Sequence, residues 1–173
     1  GVRCVEHGHL IDEETAALLA EKDIWWCLQP FLDAEPIIPV APPTREKLRQ
    51  VVSGTDTAYQ LAIKHQVKIA FGTDILFDAT LASQQGAQLA QLTRWFTPAE
   101  VLQQATIRNA ELLAMSGPRN PYPGRLGVVA EGALADLVLV DGNPLVDISL
   151  IARPEQAFVA IIKDGHLVKG SLR

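Results

Sequence analysis

The sequence predicts an α/β fold that passes into a small β-unit, on three observations. Short apolar runs alternate with amphipathic helical stretches over residues 1–117, the pattern of parallel strands joined by right-handed helical crossovers. Those runs (residues 2–6, 24–29 and 67–71) are predominantly apolar without strict alternation, as strands buried on both faces are. After Pro118 the helical periodicity stops, and turn residues separate short apolar segments.

The first strand, 2–6, ends at His7-Gly8. Asp12 is placed to cap a helix from Glu13 to about Lys22, with acidic residues in its first turn. Residues 24–29, Ile-Trp-Trp-Cys-Leu-Gln, form the second strand. Prolines at 30, 36, 39, 42 and 43 exclude helix and central sheet over 30–43 and predict a long loop, of the kind that often serves as a functional lid. Thr44 opens a helix that reaches about Gln66, with Ser53-Gly54 as a point of interruption. The third strand, 67–71, runs into Gly72-Thr73-Asp74, and residues 83–94 read as helix. Thr97-Pro98-Ala99-Glu100 is a capping-box start with proline at the first helical position, for a helix ending near Gly117.

Beyond the turn cluster Asn120-Pro121-Tyr122-Pro123-Gly124, residues 134–140 read as a strand. Residues 157–163 and 166–169 read as a hairpin across Asp164-Gly165, a dipeptide suited to a type I′ turn. The expected domains are therefore 1–117, α/β, and 118–173, a small β-unit.

Composition excludes several function classes. With 48% hydrophobic and 20% charged residues, the chain of 173 matches a folded globular protein. Fifteen Lys and Arg are interspersed with 20 Asp and Glu, for a net charge of −5, so no basic stretch is present to neutralise a row of phosphates and nucleic acid is not a partner. No apolar run reaches the roughly 18 residues of a membrane span. Cys4 and Cys27 lie in apolar runs outside any CxxC pattern and read as reduced core cysteines of a cytoplasmic protein, in preference to a disulfide or a metal role. The chain starts with glycine inside a strand, and its one methionine is Met115, so an upstream portion is expected.

In folds of this kind, chemistry gathers at the carboxyl ends of the strands. His7 and Asp74 both stand there, as do Gln29 and the proline-rich loop. An imidazole at His7 suits a divalent metal; the alternative is a surface or hydrogen-bonded strand-end histidine. Asp74 suits either metal binding or proton transfer between water and a leaving amine; the alternative is a helix cap or turn residue. His9 is a candidate substrate contact, set against a solvated loop histidine. Trp25 and Trp26 point to opposite faces of their strand and read as core, and His65 and His166 carry no assigned role. No GxSxG elbow, GxxxxGK[ST] loop or GxGxxG fingerprint occurs.

Taken together, these residues have a recognisable order. Glu6-His7-Gly8 with Leu10-Ile11-Asp12, then Phe71-Gly72-Thr73-Asp74, resemble the later barrel strands of the amidohydrolase superfamily. Thr97-Pro98-Ala99-Glu100, Ala105-Thr106, Asn109-Ala110 and Leu112-Leu113 look like the helix after its last strand. Leu126-Gly127, Glu131-Gly132, Ala135-Asp136-Leu137-Val138 and Asp141-Gly142-Asn143-Pro144-Leu145 are similar to the return into its β-sandwich domain, and Lys163-Asp164-Gly165 completes the pattern. The branch resembled is the imidazolonepropionase-like group, which includes Xaa-Pro dipeptidase-like enzymes, and the resemblance covers nearly the whole chain.

The resemblance implies the last three βα units, six to eight, of a TIM-type (β/α)8 barrel, followed by part of a small β-sandwich. It implies hydrolysis of an amide or related C–N bond, in a dipeptide or other small molecule, through a metal-activated hydroxide. His7 would be a metal ligand, and Asp74 both a metal ligand and the general acid/base. The metal would be zinc or another divalent ion, one or two per site. Asp136 and Asn143 would be structural. The family's His-x-His pair, its lysine or glutamate and a further histidine belong to earlier strands, which have no match here. Those strands would come from the same or another chain, and the exposed sheet edges point to a homo-oligomer. The alternatives are a truncated, non-catalytic amidohydrolase-derived module acting in assembly or binding, and an independent flavodoxin-like binding domain, which the absence of a phosphate-binding glycine loop in this sequence disfavours.

Overall fold

A computed structural model describes residues 1–32, 41–75 and 79–170. The chain gathers into two compact units, Gly1–Asp74 and Ile75–Arg173. The boundary expected at 117/118 falls inside the second of these.

In the first unit, β1 (Cys4–Glu6), α1 (Glu13–Glu21), β2 (Trp25–Leu28), α2 (Pro42–Lys64) and β3 (Ile69–Phe71) follow in the order read from the sequence. The sheet has the order β1-β2-β3 and is parallel throughout, with Glu6 opposite Cys27, and Cys27 opposite Ala70. All four residues of the central strand β2 are buried, which explains its unbroken apolar character. Both Trp25 and Trp26 are core residues, and Lys68 lies over the Trp25 ring at 5.7 Å.

Helix α1 starts as expected, with the Asp12 carboxylate accepting from the Thr15 N–H at 2.9 Å. It buries Ala16 and Leu19. Helix α2 begins at Pro42, two residues before Thr44. Pro42 and Pro43 sit in its first turn, where an N–H is not needed and a fixed φ is helical already. The helix also continues through Ser53-Gly54 without interruption. Gly54 is there for contact: a Cβ on it would lie 2.4 Å from the His9 carbonyl oxygen, so the helix rests directly on the loop after β1. Thr55, Ala58, Tyr59 and Ala62 form its buried face, and Glu13 of α1 pairs with Lys64 and His65 at its far end. The loop expected over 30–43 lies partly outside the described residues, as do Pro36 and Pro39.

The second unit opens with α3 (Ala79–Ala82), a short helix ahead of the one expected over 83–94, which forms as α4 (Gln85–Gln91) continued by a 3₁₀ turn over Leu92–Arg94. The Ser83 hydroxyl donates to the Thr80 carbonyl at 2.6 Å at the junction. Gly86 lets α4 press on the backbone of Ile151, whose carbonyl oxygen would be 2.1 Å from an added Cβ. Helix α5 (Pro98–Gln103) carries the expected capping box: Glu100 N–H donates to the Thr97 hydroxyl at 3.4 Å, and Thr97 N–H to the Glu100 carboxylate at 2.8 Å. The helix predicted to run on to Gly117 widens into a π-helical stretch over Gln104–Arg108 before α6 (Asn109–Ala114). The Gly127 backbone is seated on this wider turn, since a Cβ there would be 2.6 Å from the Thr106 carbonyl.

Strand β4 (Leu137–Val140), the short helix α7 (Pro154–Ala157), β5 (Phe158–Lys163) and β6 (His166–Gly170) follow, the strands forming an antiparallel sheet in sequence order. Asp164 and Gly165 have φ of 50° and 75°, as a type I′ turn requires. Asp136 anchors that turn, accepting from Lys163 Nζ at 2.6 Å and from Asp164 N–H at 2.7 Å. Asn143 closes its own turn by accepting from Leu145 N–H at 3.0 Å. Each of the two side chains is thus engaged in a turn.

Candidate functional site

The site lies at the carboxyl edge of the parallel sheet. His7, one residue past β1, has φ of 65°, and Asp74, three residues past β3, has φ of 50°. Left-handed backbone is uncommon for residues with a Cβ, and His7 is held there by its backbone partners. The His7 N–H donates to the Cys27 carbonyl at 3.0 Å, and the His7 carbonyl accepts from Trp26 Nε1 at 2.8 Å. Trp26 is therefore an anchor for this loop as well as core. Gly8 follows at φ 65°, and a Cβ there would meet Ile11 at 2.8 Å.

The His7 ring is half exposed. Its Nδ1 lies 2.8 Å from Gln29 Oε1 and 3.8 Å from Asp74 Oδ2. The two residues singled out in the sequence thus sit side by side, across the full width of the three-stranded sheet. Gln29, noted beforehand only for its position, is 2% exposed, and its amide nitrogen donates to the Cys27 carbonyl at 3.2 Å. Gly72 faces this amide: a Cβ on it would lie 3.2 Å from Gln29 Nε2 and 3.1 Å from Cys27 Sγ.

His9 is not the solvated loop residue that position alone favours. It is 4% exposed, stacks on Phe31 with ring centroids 4.9 Å apart, and donates from Nε2 to the Gln29 carbonyl at 2.9 Å. Burial lowers its pKa below the ordinary histidine value, against the opposing pull of that carbonyl, so the ring is neutral at neutral pH. The cysteines are free thiols. Burial, followed by the Glu6 carboxylate, pushes Cys4 up to about 12 and raises Cys27 as well, so neither is a thiolate nucleophile at neutral pH.

Beside His7 and Asp74 opens a cavity of about 370 Å³, walled by His9, Leu10, Phe31 and Val51. None of Leu10, Phe31 or Val51 was distinguishable in the sequence from ordinary packing residues. Among the described residues no group of three or more His, Cys, Asp and Glu side chains is placed to hold a metal, and no helix is long and apolar enough to cross a membrane. An imidazole and a carboxylate side by side fit a borderline divalent ion as two of its donors.

The chain is similar to known proteins over nearly its whole length. Ochratoxinase of Aspergillus niger is 33% identical over 98% of the chain. The chain spans about a third of that protein's length, 34%. A crystal structure of a prolidase complexed with N-methylphosphonate-L-proline matches with a TM-score of 0.84 at 29% identity, over 99% of this chain and 41% of that one. The crystal structure of A. niger ochratoxinase matches with a TM-score of 0.76 at 29% identity, over 98% of this chain and 37% of that one. The mixed α/β fold is thus part of a larger amidohydrolase fold, and the prolidase-like relatives agree with the branch the sequence resembles. The Amidohydrolase family profile matches residues 2–170, and the chain belongs to that family.

Proposed function

We propose that the protein carrying this chain is a metal-dependent hydrolase of amide or related C–N bonds in a small-molecule or dipeptide substrate. The observation that carries the reading is the meeting of His7 and Asp74, 3.8 Å apart, beside an apolar cavity. In this reading β1 to β3 are strands six to eight of an eight-stranded barrel, residues 1–117 belong to the barrel, and 118–173 are part of a β-sandwich domain.

His7 and Asp74 would hold a divalent ion, zinc in the first instance, as one or two ions. A zinc site takes at least three protein ligands, so the remaining donors would come from strands outside this stretch, on the same or another chain. Such an ion supplies Lewis-acid polarisation of the substrate carbonyl and acidifies water. Asp74 is the residue of this chain positioned for proton transfer: it takes a proton from the attacking water and returns it to the leaving nitrogen. His9, neutral and stacked on Phe31, joins Leu10 and Val51 in offering an apolar wall to the substituent next to the scissile bond. The prolidase relative bound to an N-phosphonylated proline supports this reading, since a ring beside the reacting nitrogen is the kind of group such a wall accommodates.

The test is Asp74→Asn in the full protein. Turnover is expected to fall by about two to four orders of magnitude, the usual worth of a positioned acid/base, with the fold intact by circular dichroism. Near-normal kcat in that variant would remove Asp74 from the chemistry. A second reading, a truncated non-catalytic module acting in assembly or binding, draws on the absence of a third donor among the described residues. Elemental analysis separates the two: one or two equivalents of metal support the hydrolase, and a metal-free, self-sufficient oligomer supports the module.

A further inference from the structure

We propose that Gln29 is a positioning residue that sets the tautomer of His7 and leaves Nε2 as the nitrogen with a free lone pair. The consequence for metal binding rests on the hydrolase reading above; the geometry does not. A side-chain amide has two ends of nearly equal shape, and a network must decide which faces where. Here the backbone does so. The Cys27 carbonyl can only accept, so the end of the Gln29 amide 3.2 Å from it is the NH₂. The other end is therefore the oxygen, and it lies 2.8 Å from His7 Nδ1. That oxygen also can only accept, so Nδ1 carries the proton. In a neutral imidazole, Nε2 is then the unprotonated nitrogen.

Three features hold this chain of bonds in place. Gln29 is buried, at 2% exposure, so water does not compete for its amide. Its own carbonyl is tied by His9 Nε2 at 2.9 Å and Phe31 N–H at 2.9 Å, which fixes the backbone from which the side chain springs. Gly72 leaves the space that the amide nitrogen occupies. Asp74 does not take the Nδ1 proton, since at 3.8 Å its oxygen is beyond hydrogen-bond reach. A neutral amide thus orients the ring without adding charge and leaves the carboxylate to other partners. Outer hydrogen bonds of this kind are what select the metal-binding nitrogen of a histidine. The effect runs against intrinsic preference, because a histidine side chain free in water favours the Nε2–H tautomer.

The test reads the two ring nitrogens of His7 by ¹H–¹⁵N correlation in the full, metal-free protein labelled at histidine, at a pH where imidazoles are neutral. The wild type is expected to show a protonated Nδ1 and a bare Nε2; a wild type with Nε2 protonated overturns the proposal, whatever the variants do. Gln29→Leu is expected to revert His7 towards Nε2–H and to weaken zinc binding by about 10- to 100-fold. Gly72→Ala, which crowds the amide without removing it, is expected to shift the tautomer in the same direction by less. A folded Gln29→Leu with the wild-type tautomer also overturns it. The two readings fail separately: the expected tautomer in a protein that binds no zinc removes the hydrolase, whereas zinc binding and turnover with Nε2 protonated removes only the role of Gln29.

Discussion

Gly54 is a residue whose identity follows from its close approach to the loop after β1. Alanine is favoured over glycine inside a helix by about 1 kcal/mol. The Cβ that alanine brings would stand 2.4 Å from the His9 carbonyl oxygen, a backbone atom that cannot rotate away. Steric cost therefore outweighs propensity, and Gly54→Ala is expected to destabilise the protein by about 1–3 kcal/mol, as overpacking does. A urea midpoint equal to or above wild type would show that the loop yields. Residues of this kind were poorly legible in the sequence. His7 and Asp74 were found because they follow apolar strands, a local pattern. The partnership of His7 with Gln29 depends on the parallel register that sets Glu6 opposite Cys27, and the burial of His9 depends on Phe31 and α2 closing over it. No spacing along the chain encodes either one.

Among the elements, those whose ends carry their own hydrogen bonds were the most readable. Asp12, Thr97-Glu100 and Asp164-Gly165 each act within a few residues, and each performs as its sequence says. The widening of the predicted helix at Gln104–Arg108, and the short helix α3 ahead of residues 83–94, are not readable in the sequence. The widened turn lies beside a backbone contact made by a distant glycine, Gly127. The capping box of α5 also gives a pH dependence. Hydrogen bonds from the Thr97 hydroxyl, then its N–H, lower the Glu100 pKa from the ordinary 4.5. A carboxyl with a depressed folded-state pKa contributes stability that is complete above its unfolded value and is lost as pH falls through the folded one. Protection of the α5 amides against exchange, corrected for intrinsic rates, is expected to weaken as pH drops below about 4.5. Glu100→Gln is expected to abolish that dependence; an unchanged profile would locate the titration elsewhere.

For the molecule as a whole, the parallel sheet is the decisive feature. Among the described residues β1 and β3 each pair on one side, which leaves two strand edges with backbone donors and acceptors open. The chain produced by itself is therefore expected to associate, and sedimentation is expected to show species heavier than one chain. A monodisperse monomer at micromolar concentration would show that the edges are covered some other way. Fold class and strand order were legible because alternating apolar strands and amphipathic helices admit few arrangements. What would complete the proposed site is not, since among the described residues no third His, Cys, Asp or Glu side chain joins His7 and Asp74 in a group that could hold a metal.

The left-handed backbone of His7 and Asp74 has a consequence for substitution. Each residue with a Cβ forced into that conformation costs on the order of 1–2 kcal/mol, less for aspartate than for histidine. The two positions assigned to chemistry are therefore among those least suited to a stable chain, and glycine would fit the backbone of both. Asp23, Gln66 and Asp164 share this conformation, so it is a cost that turns of this chain also carry elsewhere. A glycine at 7 or 74 would relieve it only by giving up the imidazole or the carboxylate.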